Sequence, residues 1–166
     1  SRIFFKNLDI PEPKYNLGVG SSERNIQIKK MIGGFDKIFL DEKPDLVIVF
    51  GDTNSTLAGA KAASKLGIKL AHIESGMRSF DKTMPEELNR IEADKISDIL
   101  FCSTKTAVDN LNNEKINGRV HLVGDIMIDA LKLSITAAEK NSSVLEELNL
   151  KEKEFMVATV HRAGNT

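Results

Sequence analysis

At 166 residues, with 41% hydrophobic and 28% charged side chains, the chain can bury an apolar core and has the composition of a globular domain, which excludes disorder. Its 23 basic and 24 acidic residues leave a net charge of -1, so the electrostatic footprint of a nucleic-acid binder or of an anionic-membrane binder is missing. The single cysteine, Cys102, excludes an internal disulfide and a thiolate zinc site and fits a cytosolic setting, and no apolar run reaches the roughly 18–20 residues that would span a bilayer.

In chain order, Phe4 to Ile10 reads as the end of an amphipathic helix that runs into a loop broken by Pro11 and Pro13. From Ser21 to Glu42, Ile26, Ile28, Met31, Ile32, Ile38, Phe39 and Leu40 recur at near-helical spacing, with Gly33-Gly34 as the point where a kink is expected. Asp45 to Phe50 is a short β-branched run closed by Gly51-Asp52, the pattern of a strand buried on both faces. Thr53 to Lys65 predicts a helix, Lys69 to Glu74 a strand, Glu86 to Ser97 a helix and Ile99 to Ser103 a strand. Lys105 to Leu111 and Arg119 to Val123 repeat the alternation around a turn at Asn117-Gly118. Helical segments over Ile126 to Lys140 and Ser143 to Leu148 then lead to a strand over Glu154 to Val160. Such alternation predicts an α/β fold with a doubly wound, Rossmann-like parallel sheet. A domain that stopped on a lone strand would leave its edge and faces uncovered, so a boundary is expected near Gly124-Asp125, giving domains 1–124 and 125–166.

In open α/β sheets the ligand crevice lies beyond the carboxyl ends of the strands, where three acids fall. Asp52 follows one strand, Glu74 closes the next, and Glu86 opens the helix beyond the loop from Ser75 to Pro85. Each has a structural reading beside the chemical one. Asp52 could cap the following helix. Glu74, ending a buried strand, could pair with Arg78 four residues on. Glu86 could close a capping box back to the Thr83 amide, or pair with Arg90 at i,i+4. His72 and His121 lie inside strands and read as packed or surface imidazoles, whereas His161-Arg162 ends a strand, where a donor and a fixed cation could meet a phosphate. Gly18-Val19-Gly20 lacks the third glycine of a dinucleotide fingerprint, and no Walker loop, metal-spaced histidine pair or nucleophile elbow is present, so no metal is expected.

The blocks Gly51-Asp52-Thr53, His72-Ile73-Glu74-Ser75-Gly76-Met77-Arg78, Pro85-Glu86-Glu87-Leu88-Asn89-Arg90 and His161-Arg162 stand in this order, with Val123-Gly124-Asp125 and Ile128-Asp129-Ala130-Leu131 between the third and fourth. Together they resemble the signature blocks of the non-hydrolysing UDP-N-acetylglucosamine 2-epimerases, and the resemblance runs along essentially the whole chain. It implies an isomerase of glycosyltransferase-B architecture, working without a cofactor on a UDP-sugar, cytoplasmic, and a homodimer when intact. Family members are more than twice as long, so the chain resembles their middle: an incomplete first domain and the start of a UDP-binding second one. The resemblance places the catalytic acids on Asp52, Glu74 and Glu86 and the required histidine on His161. Arg78, Asn89, Arg90 and Arg162 match accompanying substrate-binding positions.

Two departures bear on the substrate. Gly164 stands where many relatives have glutamate and Asp125 where many have asparagine; the latter, with Met84, also resembles the branch acting on UDP-diacetamido-sugar uronic acids. The alternatives are therefore a hydrolysing epimerase, an epimerase of such a uronate, a glycosyltransferase with a similar cleft, or a non-catalytic nucleotide-sugar-binding fragment.

Overall fold

The computed structural model describes Phe5, residues 10–151 and residues 153–160, arranged as two compact units: one from Glu12 to Ile126, the other made of the flanking described residues. Most of the helix end expected over Phe4 to Ile10 lies outside the described residues.

The larger unit begins with helix α1 (Arg24–Glu42), whose first turn is held by the Glu23 carboxylate accepting from the Asn25 amide at 3.2 Å. Its last turn closes on Lys43, left-handed at φ 48°, whose N–H donates to the Phe39 carbonyl at 3.0 Å. One unbroken helix runs through Gly33-Gly34, contrary to the expected kink. Gly34 instead serves close packing, since a Cβ there would lie 2.6 Å from Leu17 Cδ2.

Strands β1 (Leu46–Phe50), β2 (Lys69–Ile73), β3 (Ile99–Cys102) and β4 (Arg119–Leu122) form one parallel sheet in the order β1-β2-β3-β4. Helices α2 (Asn54–Lys65), α3 (Pro85–Ile96) and α4 (Lys105–Asn113) make the crossovers, and right-handed connections between successive neighbours put all three on one face. The α/β, Rossmann-like class read from the alternation is therefore the observed one.

The register aligns Val49, His72, Leu100 and Val120 in one row across that helical face. Val47, Val49 and Leu70 pack on Ala60, Ala63 and Ala93, and Leu100 and Cys102 pack on Ala107 and Leu111. The run of small residues in α2 lets its backbone approach β1 closely, where larger side chains would hold it off. β1 departs from the reading of a strand buried on both faces. Only Val47 and Val49 are buried, while Leu46, Ile48 and Phe50 are 40%, 48% and 54% exposed, because β1 is an edge strand and the described helices of this unit cover the opposite face.

The β2–α3 connection depends on one glycine. Gly76 has φ +75°, and a Cβ there would sit 2.3 Å from the Ala107 carbonyl oxygen. Replacing Gly76 by Ala combines a left-handed penalty with a backbone clash, so we expect a loss of about 1–3 kcal/mol, measured as a shift in the urea midpoint of the chain.

In the second unit, α5 (Ile126–Asn141) and α6 (Val144–Glu147) bury no residue. The strand expected over Glu154 to Val160 does not form. Those residues are irregular, with Met156 98% and Val157 81% exposed. A strand exists through ladder bonds to a neighbour, and no described residue of this unit supplies one.

Candidate active site

The carboxyl ends of β1 and β2 and the start of α3 meet where the three candidate acids lie. Gly51 follows β1 with φ +63°, its N–H donating to the Ile73 carbonyl at 3.1 Å, so the two strand ends are tied together. Asp52 is not the cap of α2. That task falls to Thr53, whose Oγ1 accepts from the Thr56 amide at 3.3 Å. Asp52 Oδ2 instead receives Arg90 Nη2, and its carbonyl accepts from Asn89 Nδ2 at 2.9 Å.

Glu74 adopts φ +69°, a left-handed conformation that costs a non-glycine residue about 1–2 kcal/mol. The Arg78 partner proposed for Glu74 is engaged elsewhere, and the Glu74 carboxylate lies over Gly51, 3.9 Å from where a side chain at that glycine would begin.

Glu86 does not close a capping box: α3 starts after Met84 with Pro85 in its first turn, and the Thr83 amide donates to Asp81 Oδ1 at 2.9 Å. Nor does Glu86 pair with Arg90, whose carboxylates are Asp52 and Glu87. Each acid has thus lost the structural duty the sequence left open for it.

Asp52 and Glu86 line one cavity of about 420 Å³ together with Arg24, Gln27, Asn54 and Asn89, within the size range of small-molecule sites. A chain of amides braces it. Asn89, 1% exposed, accepts from Arg24 Nη2 and donates to Asn54 Oδ1 at 3.0 Å, and Asn54 Nδ2 donates to Gln27 Oε1 at 2.8 Å. The starts of α1, α2 and α3 are thereby held around one hollow.

Beneath this hollow runs a buried charge network. His72, fully buried, places Nε2 2.7 Å from the Gly51 carbonyl and Nδ1 2.7 Å from Asp94 Oδ1. A carbonyl only accepts, so Nε2 carries hydrogen, and a second hydrogen lies on the line between Nδ1 and Asp94. Asp94 Oδ2 accepts from the Gly76 amide at 3.1 Å and from Arg78 Nη1 at 2.7 Å. Arg78 closes on Glu114 through Nε and Nη2, both at 2.7 Å, and its side chain is 1% exposed. Burial works against its charge, but Glu114 and Asp94 more than offset that and hold it above the usual arginine value.

Glu87, 1% exposed, pins the β2–α3 loop by accepting from the Ser79 amide and the Phe80 amide at 2.9 Å and from Ser79 Oγ at 3.0 Å. Burial alone would raise its pKa. These donors and Arg90 outweigh it and leave the carboxyl below its usual range.

Of the residues singled out from the sequence, the structure gathers Asp52, Glu86 and Asn89 around the hollow, pairs Arg90 with Asp52, lays Glu74 against Gly51, and commits Arg78 to the network below. His161 and Arg162 lie outside the described residues. Sequence reasoning missed Arg24, Glu87, Asp94 and Glu114. A signal for two of them was present: Glu87, Arg90 and Asp94 share a face of α3 at i, i+3 and i+7, a polar stripe where a core-facing helix usually shows leucines. Among the described residues no cluster of three His, Cys, Asp or Glu could hold a metal ion, and no helix is long and apolar enough to cross a membrane.

Comparison with known proteins gives the family of the chain. A family model described as UDP-N-acetylglucosamine 2-epimerase matches residues 1–166. A UDP-N-acetylglucosamine 2-epimerase homolog of Methanococcus maripaludis is 54% identical over 99% of this chain, and a UDP-2,3-diacetamido-2,3-dideoxy-D-glucuronate 2-epimerase of Pseudomonas aeruginosa is 45% identical over all of it. The chain spans 46% of the length of each relative. The crystal structure of Methanocaldococcus jannaschii UDP-GlcNAc 2-epimerase in complex with UDP-GlcNAc and UDP superposes with a TM-score of 0.85 at 47% identity, covering 90% of this chain and 41% of that one. With the family model matching residues 1–166 and a relative 54% identical over 99% of this chain, the chain belongs to the UDP-N-acetylglucosamine 2-epimerase family.

Proposed function

We propose that this chain supplies the sugar-side half of an active site that, in the longer protein, interconverts UDP-N-acetylglucosamine and UDP-N-acetylmannosamine by eliminating UDP and adding it back. The observation that carries this reading is that Asp52 and Glu86 share one cavity, with Glu74 beside Gly51, while none of the three performs the structural task available to it.

The chemistry explains the residue types. The proton on the acetamido-bearing carbon is not next to a carbonyl, so a stable carbanion is unavailable. As the C1–O bond breaks, its electron pair leaves with UDP and C1 gains cationic character, which acidifies the neighbouring proton. One carboxylate takes that proton, giving a C1–C2 double bond. Return of the UDP oxygen to C1, with proton delivery to the opposite face of C2, gives the epimer. Acids on separate elements serve as base, as proton donor and as electrostatic support for C1.

Residues 1–124 belong in this proposal to a first Rossmann-like domain and residues 125–166 to the start of the second, where His161 and Arg162 would face the diphosphate of the leaving UDP. Turnover then requires the rest of the protein, a cytoplasmic homodimer by family resemblance. A second reading, epimerisation of a UDP-diacetamido-uronate, draws on the 45% identity to the Pseudomonas aeruginosa enzyme of that name.

The test is to incubate the full-length protein with UDP-N-acetylglucosamine in deuterated water and follow the products by NMR. Both epimers are expected, with deuterium at the inverted carbon and no free sugar. Free N-acetylmannosamine would replace this reading by the hydrolysing one, and epimers without deuterium would overturn the elimination step.

A further inference from the structure

His72 is fully buried and stands in a row whose other members, Val49, Leu100 and Val120, are apolar. Burying an imidazole is costly where a leucine would not be, and the cost is offset by its two hydrogen bonds. One of them, at Nδ1, ends on Asp94 and the charge network below. The other runs from Nε2–H to the Gly51 carbonyl at 2.7 Å and carries that network to the carboxyl end of β1.

The Gly51 carbonyl belongs to the peptide that leads into Asp52. The turn at Gly51, with φ +63°, takes this carbonyl out of the strand ladder and onto His72, while the Gly51 amide donates to the Ile73 carbonyl at 3.1 Å. Both ends of Gly51 are therefore bonded to β2, through the two residues that precede Glu74. The Glu74 carboxylate lies over the same glycine, 3.9 Å from where a Cβ would begin. Asp52 and Glu74, on neighbouring strands, thus share one point of reference. Arg90 on the Asp52 side chain and Asn89 on its carbonyl act beyond the peptide that His72 holds.

We propose that His72 is a positioning residue for the reaction: by donating from Nε2 to the Gly51 carbonyl it fixes the peptide on which Asp52 is mounted and against which Glu74 rests, while its bond to Asp94 serves the stability of the fold. The inference rests on the epimerase reading above and deepens it. The two roles separate because the two ring nitrogens can be replaced one at a time. The side-chain amide nitrogen of an asparagine falls near the place of Nδ1, and that of a glutamine near the place of Nε2. His72→Asn therefore keeps a donor for Asp94 and loses the one for Gly51, and His72→Gln does the reverse.

The test measures kcat, KM and the thermal midpoint of full-length wild type, His72→Asn and His72→Gln, with whichever of the two UDP-sugars named above the wild type epimerises. Rate and stability should rank the two variants in opposite order. His72→Asn should lower kcat about 10- to 100-fold with KM changed less than about 3-fold, and should have the higher midpoint of the two; His72→Gln should keep kcat within about 5-fold of wild type and have the lower midpoint. A core histidine with a structural role alone would make rate follow midpoint. Rates that follow the midpoints, or that do not separate the variants, overturn the proposal. If either variant fails to fold, NMR of the ring nitrogens in the wild-type protein decides: a slowly exchanging hydrogen on Nε2 supports the bond to Gly51, and a bare Nε2 overturns it. A wild type that epimerises neither UDP-sugar would reject the epimerase reading and the role of His72 together, whereas with wild type active the variants judge His72 alone.

Discussion

Glu74→Gln and Glu86→Gln in the full-length protein are each expected to lower the epimerisation rate by about 100-fold or more, the scale of a lost general acid or base. The same variants should leave folding nearly unchanged. Glu86 is exposed and, among the described residues, holds no partner, so amidation breaks no contact. Glu74 keeps its left-handed backbone whether its side chain ends in a carboxylate or an amide, so the strain at φ +69° is common to both forms. The measurement pairs initial rates in deuterated water with thermal midpoints of the same preparations. Rates near wild type in both variants would remove these acids from the mechanism. A large fall in midpoint accompanying the rate loss would give them a structural role instead. Glu87 supplies the contrast: it is adjacent to Glu86 in sequence, but it is buried and fully occupied by Ser79, Phe80 and Arg90, so its amide variant should fail by loosening the loop and not by losing a proton.

The difference between those neighbours shows what a sequence can and cannot tell. Each strand that formed was legible because a short β-branched run bounded by Gly, Asp or Pro has few other uses, and α1 to α4 were legible because the spacing of apolar and small residues along a helix is a local property. The run from Glu154 to Val160 has the same local pattern as β1 and did not become a strand, since pairing is supplied by a neighbour and not by the run itself. The exposure of Ile48 and Phe50 has the same origin, for the side of an edge strand that gets covered is decided by where the crossovers go.

At the site, residue types and order pointed to Asp52, Glu74 and Glu86, but their pairings were out of reach. Arg78 and Arg90 each had an acid four residues away in sequence, and in the fold each chose other carboxylates: Arg78 took Asp94 and Glu114, 16 and 36 residues distant, and Arg90 took Asp52, 38 residues distant, with Glu87. Close spacing along the chain is worth a few tenths of a kcal/mol on an exposed helix and is readily outbid once a buried partner is offered.

Asp94→Ala carries the largest expected effect on stability. The Asp94 side chain is fully buried and accepts from His72, from the Gly76 amide and from Arg78, so its removal strands three donors, one in β2 and two in the loop that follows it. Two of them are charged or share a proton with it, and breaking a buried pair by deleting one member costs about 3–5 kcal/mol, because the remaining charge stays desolvated. Urea titration of the 166-residue chain followed by far-UV circular dichroism measures this directly. Lys61→Ala is the internal reference: Lys61 and Glu92 are 2.6 Å apart, as close as the partners of Asp94, but their side chains are 42% and 46% exposed, and their loss should cost no more than about 1 kcal/mol. Asp94→Asn should fall between the two, since the amide can still accept from Arg78 or Gly76 but cannot balance the charge. If Asp94→Ala proved no worse than Lys61→Ala, the network beneath the site would be ornamental, and the placement of Asp52 through His72 and the Gly51 carbonyl would need another cause. If the loss is as large as expected, the region that holds the candidate acids is also the most tightly fixed part of the fold. That is the arrangement a proton transfer between opposite faces of one sugar carbon requires, because a displacement of about 1 Å in either acid would cost on the order of 100-fold in rate.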